Sequence, residues 1–283
     1  MRSSCKILLF MAAFLDSVIP GSCLEIIAHR GASHEAPENT VAAVRQAWKQ
    51  SSDAVEIDIH LSRDGQIVVM HDATAERTAG DERKISEMSL DEIRALDAGT
   101  WKNREYAGEK VPLLDEILAL IPPGKRLYIE VKCGREIVPE LVCALERAGK
   151  PGREVCIISF DWDLLRELKK QIPQYEAFWI RGYDANIGIE EAYREFIKRC
   201  RDADLDGIDL SHAWPLDARW MKEFREAGLK VLAWTVDDPV VARRLTELGV
   251  DGITTNRPGW LRDQLDQPDQ LGKGEALTGK TTY

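Results

Sequence analysis

Residues 54–71 read AVEIDIHLSRDGQIVVMH, two apolar runs joined by a short polar connection. Each run has the length and the β-branched content of a strand. The connection contains Asp64-Gly65, a strong turn signal between two strands. We therefore predict an antiparallel β-hairpin, in which the second run returns along the first instead of beginning a new parallel strand.

The register of this hairpin decides which side chains His71 faces. If Asp64-Gly65 is a two-residue turn, His71 lies opposite Asp58. A four-residue loop places His71 opposite Glu56 instead. Both registers bring the imidazole to the carboxylates of the first strand.

Outside the hairpin, short apolar runs alternate with amphipathic stretches of helical length. The predicted strands are residues 25–29, 54–61, 66–71, 126–132, 155–160, 176–180, 207–210, 230–236 and 252–256. The predicted helices are residues 40–50, 137–148, 162–171, 190–203, 217–227 and 239–248. Without the returning hairpin strand, eight parallel strands with crossover helices remain, which is the count of a closed (β/α)8 TIM barrel. Residues 73–112 interrupt the alternation and are predicted to be a small insertion over the catalytic end of that barrel.

Three carboxylates stand inside apolar strands, where an unpaired charge would be costly. Glu56 and Asp58 are two residues apart and share a face of their strand, and Glu130 has the same inward position on another strand. An oxygen-rich cluster of this kind suits one hard divalent cation, Mg²⁺ or Ca²⁺. The alternative is a set of buried ion pairs, for instance between Glu130 and Lys132 or Arg30.

Two histidines and two cations occur at the ends of the same predicted strands. His29 and His71 are suited to act as general acid and base, because imidazole exchanges its proton near neutral pH. Arg30 and Lys132 offer fixed positive charge for a phosphate group. Their alternative role is only to neutralise the carboxylates.

Taken together, these motifs resemble those of the glycerophosphodiester phosphodiesterases. The resemblance covers about residues 25 to 262 and rests on motifs that occur in order and with compatible spacing. They are Ala28-His29-Arg30-Gly31, Pro37-Glu38-Asn39-Thr40, Glu56-Ile57-Asp58, Asp64-Gly65, Val68-Val69-Met70-His71-Asp72, Ile129-Glu130-Val131-Lys132, Trp234-Thr235-Val236 and Thr255-Asn256-Arg257-Pro258.

The resemblance implies a TIM-barrel hydrolase that splits a small glycerophosphodiester into an alcohol and sn-glycerol 3-phosphate. It implies that His29 and His71 are the general acid and base. It also implies three metal ligands, which are Glu56, Asp58 and Glu130. The substrate-binding residues that it implies are Arg30, Lys132 and Trp234. In the mechanism usually proposed for the family, the glycerol 2-hydroxyl attacks phosphorus, and water then opens the resulting cyclic phosphate.

Substrate choice is expected to depend on residues outside the strands. His34, in the loop after the first strand, is either a solvated loop residue or a contact for the leaving group. Trp101 and Tyr106, in the insertion, are candidates for the same contact. Trp234 itself has a second interpretation as plain core packing.

The composition of the chain limits the classes of molecule that it is expected to bind. The net charge of −10 excludes a general electrostatic attraction to nucleic acid or anionic lipid, so we expect a small-molecule substrate and no nucleic acid. Cys133, Cys143, Cys156 and Cys200 lack zinc-type spacing and are expected to be buried free thiols, although a disulfide among them stays open.

The first residues have the layout of a secretory signal peptide. Arg2 and Lys6 precede an apolar run at residues 7–15, and small residues follow at 21–23. The run is too short for a stable membrane insertion. We predict a signal peptide over residues 1–23, a catalytic domain over 24–265 and a disordered tail over 266–283. The protein is thus expected to be exported, to the periplasm or outside the cell, and the alternative is a cytoplasmic protein with a misassigned start.

Two other functions are compatible with the sequence. A lysophospholipase D or a sphingomyelinase-D-like enzyme uses a related barrel and a similar histidine pair, but needs an apolar rim for an acyl chain. A non-catalytic phosphodiester-binding barrel is the third hypothesis, although no acid, base or ligand position is missing here.

Overall fold

The structure is a computed structural model that describes residues 24–267. The predicted signal peptide at residues 1–23 lies outside the described residues, and so do residues 268–283 of the tail predicted over residues 266–283. Within the described part, no helix is both long enough and apolar enough to cross a bilayer.

Eight parallel strands close into a barrel, which confirms the predicted fold class. In barrel order the strands are β1 (Glu25–Ala28), β2 (Ala54–Leu61), β6 (Arg126–Val131), β7 (Val155–Ser159), β8 (Glu176–Arg181), β9 (Gly207–Ser211), β10 (Lys230–Trp234) and β11 (Gly252–Thr255). The barrel closes because β1 pairs with both β2 and β11. The predicted strand positions agree with these bounds to within one or two residues.

Helices surround the barrel and follow its strands. They are α1 (Val41–Lys49), α4 (Leu114–Leu118), α5 (Val138–Ala148), α6 (Trp162–Gln171), α7 (Ile189–Asp202), α8 (Ala218–Glu226), α9 (Pro239–Leu248) and α10 (Pro258–Asp266). Several begin with a side-chain cap, for example Asp161 on α6 and Asp238 on α9. The short α4 and the final α10 were not among the predicted helices.

The hairpin forms as predicted, but both predicted registers are wrong. The returning strand β3 (Ile67–Val69) pairs Ile59 with Val69 on β2. The Ser62 amide donates to the Gln66 carbonyl at 2.9 Å, so the loop has three residues. Gly65 supplies the left-handed conformation, φ 76°, that a loop of this length needs. Continued by this register, position 71 falls opposite Ile57, between the two predicted partners.

The insertion is a small layer packed on the hairpin. It contains a two-stranded sheet of β4 (Thr74–Ala75) and β5 (Asp81–Lys84), with helices α2 (Glu76–Ala79) and α3 (Leu90–Ala95). A capping box between Ser89 and Glu92 starts α3. Three short 3-10 turns, Ile85–Glu87, Arg104–Tyr106 and Arg135–Ile137, lie in and after the insertion, and a fourth, Gly152–Glu154, precedes β7.

The insertion is fastened to the loop after β1. Lys102 Nζ donates to the Ser33 carbonyl at 2.7 Å, and the Tyr106 hydroxyl donates to the Glu35 carbonyl at 3.3 Å. Since this loop begins at the carboxyl end of β1, the insertion is held at the C-terminal end of the barrel.

Alternation along the strands divides the core into two layers. Val55, Ile57 and Ile59 face outward into the large cluster beneath the helices. A smaller cluster fills the barrel interior and includes Tyr128, Phe178 and further inward residues. The cluster members are Ile27, Ala54, Tyr128, Cys156, Ile158, Phe178, Ile180 and Leu232.

A layer of ion pairs closes the N-terminal end of the barrel. The first residues of β1, β6, β8 and β10 are Glu25, Arg126, Glu176 and Lys230. Arg126 bonds both Glu25, at 3.1 Å, and Glu176, and Lys230 bonds Glu176 at 2.5 Å. Each of the four charges therefore has an opposite charge beside it.

Candidate active site

The three predicted metal carboxylates meet at the C-terminal end of the barrel. One oxygen from each of Glu56, Asp58 and Glu130 lies within 4.8 Å of the others, and all three residues are buried. Burial, followed by the charges of Asp58 and Glu130, raises the pKa of Glu56 well above its ordinary value. Burial and then the charge of Asp58 raise the pKa of Glu130 to about 7. This cluster therefore holds more negative charge than its surroundings compensate.

Two oxygens of the cluster are left without a hydrogen bond. Glu56 Oε1 and Asp58 Oδ1 are buried and have no hydrogen-bond partner among the described residues. Buried carboxylate oxygens are normally satisfied, and orphaned ones call for an explanation such as a bound ion. The donor set and these free oxygens fit a hard divalent cation.

The loop after β1 orients the carboxylates. The Arg30 amide donates to Glu56 Oε2 at 2.8 Å, and Asn39 Nδ2 donates to Asp58 Oδ2 at 2.7 Å. The Asp58 amide returns a hydrogen bond to Asn39 Oδ1 at 3.1 Å. Both Arg30 and Asn39 have positive φ, 55° and 59°, a conformation that is strained for arginine in particular. Gly31 is required between them because a Cβ there would collide with Ala43.

The two predicted phosphate cations lie against the same cluster. Arg30 Nε is 3.3 Å from Asp58 Oδ2, and Arg30 Nη1 donates to Glu38 Oε1 at 2.9 Å. Lys132 Nζ donates to Glu130 Oε1 at 2.8 Å and lies 3.6 Å from Asp58 Oδ1. The ion pairs of the alternative interpretation are thus present, but they leave the orphaned oxygens unsatisfied.

Hydrogen bonding settles the tautomer of His29. Asn256 Nδ2 faces Asp237 Oδ2 at 2.6 Å, and a carboxylate only accepts, so the amide nitrogen must be on that side. The amide oxygen of Asn256 then faces His29 Nδ1, at 2.7 Å, and requires a proton there. Nε2 of His29 is left bare. Burial and then the charge of Arg30 lower the pKa of His29 to about 4, which makes the ring neutral at pH 7.

His71 is held by a carboxylate instead of an amide. Its Nδ1 lies 2.6 Å from Asp72 Oδ1, and Arg77 Nε donates to the other oxygen of Asp72 at 2.7 Å. Burial opposes the charge of Asp72, but the hydrogen bonds from Arg77 and His71 outweigh it and lower the pKa of Asp72 to about 2. Arg77, from α2, also donates two hydrogen bonds to Glu38, which in turn accepts from Arg30. The insertion thus links both sides of the site.

These groups line one cavity of about 220 Å³. Its polar side contains His29, Arg30, Glu56, His71, Glu130 and Lys132. Its other side contains Ile158, Phe160, Ile180, Asp209, Trp234, Thr235 and Thr254. The predicted ligand Asp58 is fully buried beside the cavity, and every other predicted catalytic, metal-binding or substrate-binding residue reaches the cavity wall.

Trp234 lies on the wall opposite the carboxylates. Its ring meets Phe160 edge-on at 5.8 Å, and its Nε1 donates to the Asp209 carbonyl at 3.2 Å. Phe160 is 47% exposed and marks the rim. Trp234 therefore presents a fixed apolar surface to the cavity, in addition to packing.

The three candidates for leaving-group recognition lie outside this cavity. The His34 side chain is exposed and faces Glu35, Trp101 is exposed, and Tyr106 bonds the Glu35 carbonyl. Their role in substrate choice stays a prediction.

Sequence reasoning missed several residues of the site. Asp209 is a carboxylate within an apolar strand, the same signal that identified Glu56, and it was overlooked. Asp237, Asn256 and Arg77 support the histidines through contacts of long sequence separation. No local pattern identifies such partners.

Comparison with known proteins gives consistent matches. The sequence profile of the glycerophosphoryl diester phosphodiesterase family matches residues 29–260. A glycerophosphodiester phosphodiesterase of Caldanaerobacter subterraneus is 33% identical over 238 residues, 82% of this chain and 94% of the relative. Bovine glycerophosphodiester phosphodiesterase 1 is 40% identical over 251 residues, 77% of this chain and 73% of the relative. The solved structure of an Oleispira antarctica phosphodiesterase in complex with the product sn-glycerol-3-phosphate superposes with a TM-score of 0.77. It is 31% identical, and the match covers 86% of this chain and 97% of that one.

Proposed function

This chain belongs to the glycerophosphoryl diester phosphodiesterase family and is a phosphoric diester hydrolase, and from that premise we propose a metal-dependent, two-histidine mechanism for it. The substrate is a small glycerophosphodiester, and the products are an alcohol and sn-glycerol 3-phosphate. The observation that carries this proposal is one cavity that combines orphaned carboxylate oxygens with two imidazoles and two cations.

Glu56, Asp58 and Glu130 would hold one divalent cation, Mg²⁺ or Ca²⁺. Their geometry supports this role because a cation would satisfy the buried oxygens that lack partners. A bound cation lowers the pKa of an oxygen ligand and neutralises phosphate charge.

His29 is the base of the first step. Its bare Nε2 accepts the proton of the glycerol 2-hydroxyl as that oxygen attacks phosphorus. His71 is the acid, and its Nε2 proton goes to the departing alcohol oxygen as the P–O bond breaks. The product of this step is a five-membered cyclic phosphate with a free alcohol.

The second step reverses the two roles. His71 now takes a proton from water, whose oxygen attacks phosphorus, and His29 returns its proton to the 2-oxygen as the ring opens. The carboxylate of Asp72 stabilises the positive ring that forms when His71 is protonated, as in other carboxylate-backed imidazoles.

Arg30 and Lys132 bind the non-bridging phosphate oxygens. Both reach the cavity and both have donors beyond their present contacts, since a guanidinium offers five and an ammonium three. Trp234 packs against the glycerol carbons, and its indole nitrogen is already engaged by Asp209.

An assay with sn-glycero-3-phosphocholine tests the proposal. We expect release of both choline and sn-glycerol 3-phosphate, complete loss of release in chelator, and recovery with Mg²⁺ or Ca²⁺. Undiminished turnover in chelator would contradict the metal role. Turnover of the matching 1-acyl lysolipid in preference to the deacylated diester would favour a lysophospholipase D.

We also propose export of the protein, on the basis of the basic and apolar N-terminal sequence. Expression in a host with secretion machinery should yield a mature chain that has lost about the first 23 residues. A cytoplasmic chain with an intact N-terminus would contradict this.

A further inference from the structure

Asp209 is a buried carboxyl group with no assigned function. It lies on β9, and its side chain lines the cavity while the residue is only 3% exposed. The described residues offer its carboxyl group no hydrogen bond, and its Oδ1 is fully buried. An unsatisfied buried polar group destabilises the folded protein, so its retention calls for a compensating interaction.

Among residues 24–267, no cationic side chain pairs with Asp209. In strand register it lies beside Ile180 on β8 and Leu232 on β10, both of them apolar and inward. The charge that acts on it is the like charge of Glu130, and burial together with that charge raises its pKa well above the ordinary value. Asp209 is not part of the three-carboxylate cluster. We therefore expect the hydrogen-bond partner of Asp209 to be a group of the ligand.

The position of Asp209 in the cavity indicates which part of the ligand it contacts. Asp209 lies two residues below Ser211, the last residue of β9, and is nearly inaccessible, so it belongs to the cavity floor. The exposed ring of Phe160 marks the opposite, open side. The leaving alcohol varies in size and must extend toward the opening, whereas the glycerol unit is constant and small enough for the floor.

We infer that Asp209 binds the terminal hydroxyl of the glycerol unit and thereby selects substrates in which that hydroxyl is free. The inference rests on the proposed function, in which the phosphate and the 2-hydroxyl already have partners. The terminal hydroxyl is the remaining polar group of the glycerol unit. A carboxyl group accepts a hydrogen bond from a hydroxyl in either protonation state.

This contact has a consequence for substrate class. A diester acylated at the terminal oxygen has no proton to donate and carries a chain that the apolar floor has no space for. The same diester without the terminal oxygen would leave Asp209 unsatisfied. A site built to bond a hydroxyl rejects the analogue without it strongly.

The test compares two substrates on each protein. One is sn-glycero-3-phosphocholine, and the other is its analogue built on propane-1,2-diol, which keeps the 2-hydroxyl nucleophile and lacks only the terminal oxygen. Choline release is measured for both. We expect the wild-type protein to prefer the glycerol substrate by about 100-fold in kcat/KM, the effect of losing one hydrogen bond to a carboxylate.

Substitution should remove this preference. Asp209→Val and Asp209→Ala should lose most of the activity on the glycerol substrate, keep their activity on the analogue to within about threefold, and so bring the ratio close to one. Asp209→Asn retains a donor and an acceptor and should keep most of the preference. Because each result is a ratio of two substrates on one protein preparation, a reduced folded fraction does not alter it.

Thr254→Val is the matched control, since it removes a hydroxyl from the same cavity and should leave the ratio unchanged. Equal turnover of both substrates by the wild-type protein would overturn the inference while leaving the proposed function intact. Absence of any sn-glycerol 3-phosphate would instead refute the proposed function. The inference would also fail if Asp209→Val lost activity on both substrates equally or if Thr254→Val alone changed the ratio.

Discussion

The two ends of the barrel interior both contain charged side chains, but they differ in the ratio of acidic to basic groups. At the N-terminal end, Glu25 and Glu176 face Arg126 and Lys230, so the charges cancel. At the C-terminal end, four carboxyl groups are accompanied by two cations. The carboxyl groups are Glu56, Asp58, Glu130 and Asp209, and the cations are Arg30 and Lys132.

This difference distinguishes a structural from a functional use of buried charge. The charges of a balanced network neutralise one another and need no ligand, although Arg126 Nε lacks a hydrogen bond and the network adds little net stability. An acidic excess with orphaned oxygens is unfavourable in the free protein and becomes favourable when a cation or a hydroxyl arrives. A charged residue within a strand is therefore a weaker indication of a functional site than a buried charge without a partner.

Replacing one carboxylate at each end by its amide should give the largest difference in activity between the two ends. Glu56→Gln removes a proposed metal ligand and should lower kcat/KM by about 10⁴-fold, because metal stabilisation of the transition state amounts to several kcal/mol. Glu176→Gln alters only the ion-pair layer and should leave kcat/KM within about threefold. Release of sn-glycerol 3-phosphate measures both. Full turnover by Glu56→Gln would refute the metal assignment.

Removing either histidine tests the acid-base part of the C-terminal end. His29→Ala and His71→Ala should each lower kcat by about 10³-fold, with little change in folding. His212→Ala is the control, since its side chain is exposed and outside the cavity, and it should keep near wild-type kcat. A variant of His29 or His71 that retains more than a tenth of wild-type kcat would argue against its proposed role.

Breaking the balance at the N-terminal end should affect stability and not activity. Arg126→Met leaves Glu25 without its cation and weakens the layer, so we expect a loss of about 2 kcal/mol in the free energy of unfolding. The arginine side chain is 21% exposed, which keeps the loss below that of a fully buried pair. The exposed pair of Arg63 and Glu92 gives the control, since Arg63→Met should cost under about 1 kcal/mol. A fall in kcat for Arg126→Met with unchanged stability would contradict this division of roles.

The sequence was sufficient for the barrel and for most of the C-terminal site. Strands and their inward carboxylates follow a period of two, so Glu56, Asp58 and Glu130 could be placed on one side from spacing alone. The hairpin register could not be predicted from spacing, because two-, three- and four-residue loops all accommodate Asp64-Gly65. Only packing selects among these loops.

The ion pairs of the N-terminal layer could not be predicted from the sequence. Glu25, Arg126, Glu176 and Lys230 come from four strands far apart in the chain, and their mutual contacts depend on barrel closure. The same is true of Asn256 and Asp237 behind His29. Local patterns predict which residues face inward, but pairing between distant strands is a property of the closed fold.

Glu130 at the C-terminal end and Glu176 at the N-terminal end should contribute to the pH dependence of stability with opposite signs in the metal-free protein. Glu130 has a raised pKa, about 7, so its contribution is present at low pH and is lost as pH rises through 7. At the other end, Lys230 and Arg126 lower the pKa of Glu176 against the effect of burial, so its contribution is present above about pH 4.5 and is lost as pH falls. Glu25 is an exception there, since burial outweighs Arg126 and raises its pKa.

Denaturant unfolding in chelator at pH 4, 5, 6.5 and 8 measures these contributions. His29, whose lowered pKa makes stability rise with pH, titrates in wild type and variant alike, so each variant is compared with wild type at the same pH. Glu130→Gln should gain stability relative to wild type as pH rises from 5 to 8, whereas Glu176→Gln should change stability chiefly near pH 4. Saturating Mg²⁺ or Ca²⁺ should reverse the difference at pH 8 in favour of wild type, because a cation binds only the deprotonated carboxylates and stabilises the folded state by mass action. A metal-free difference between Glu130→Gln and wild type that stays constant from pH 5 to pH 8 would show that Glu130 is compensated after all, and the contrast between the two ends would disappear.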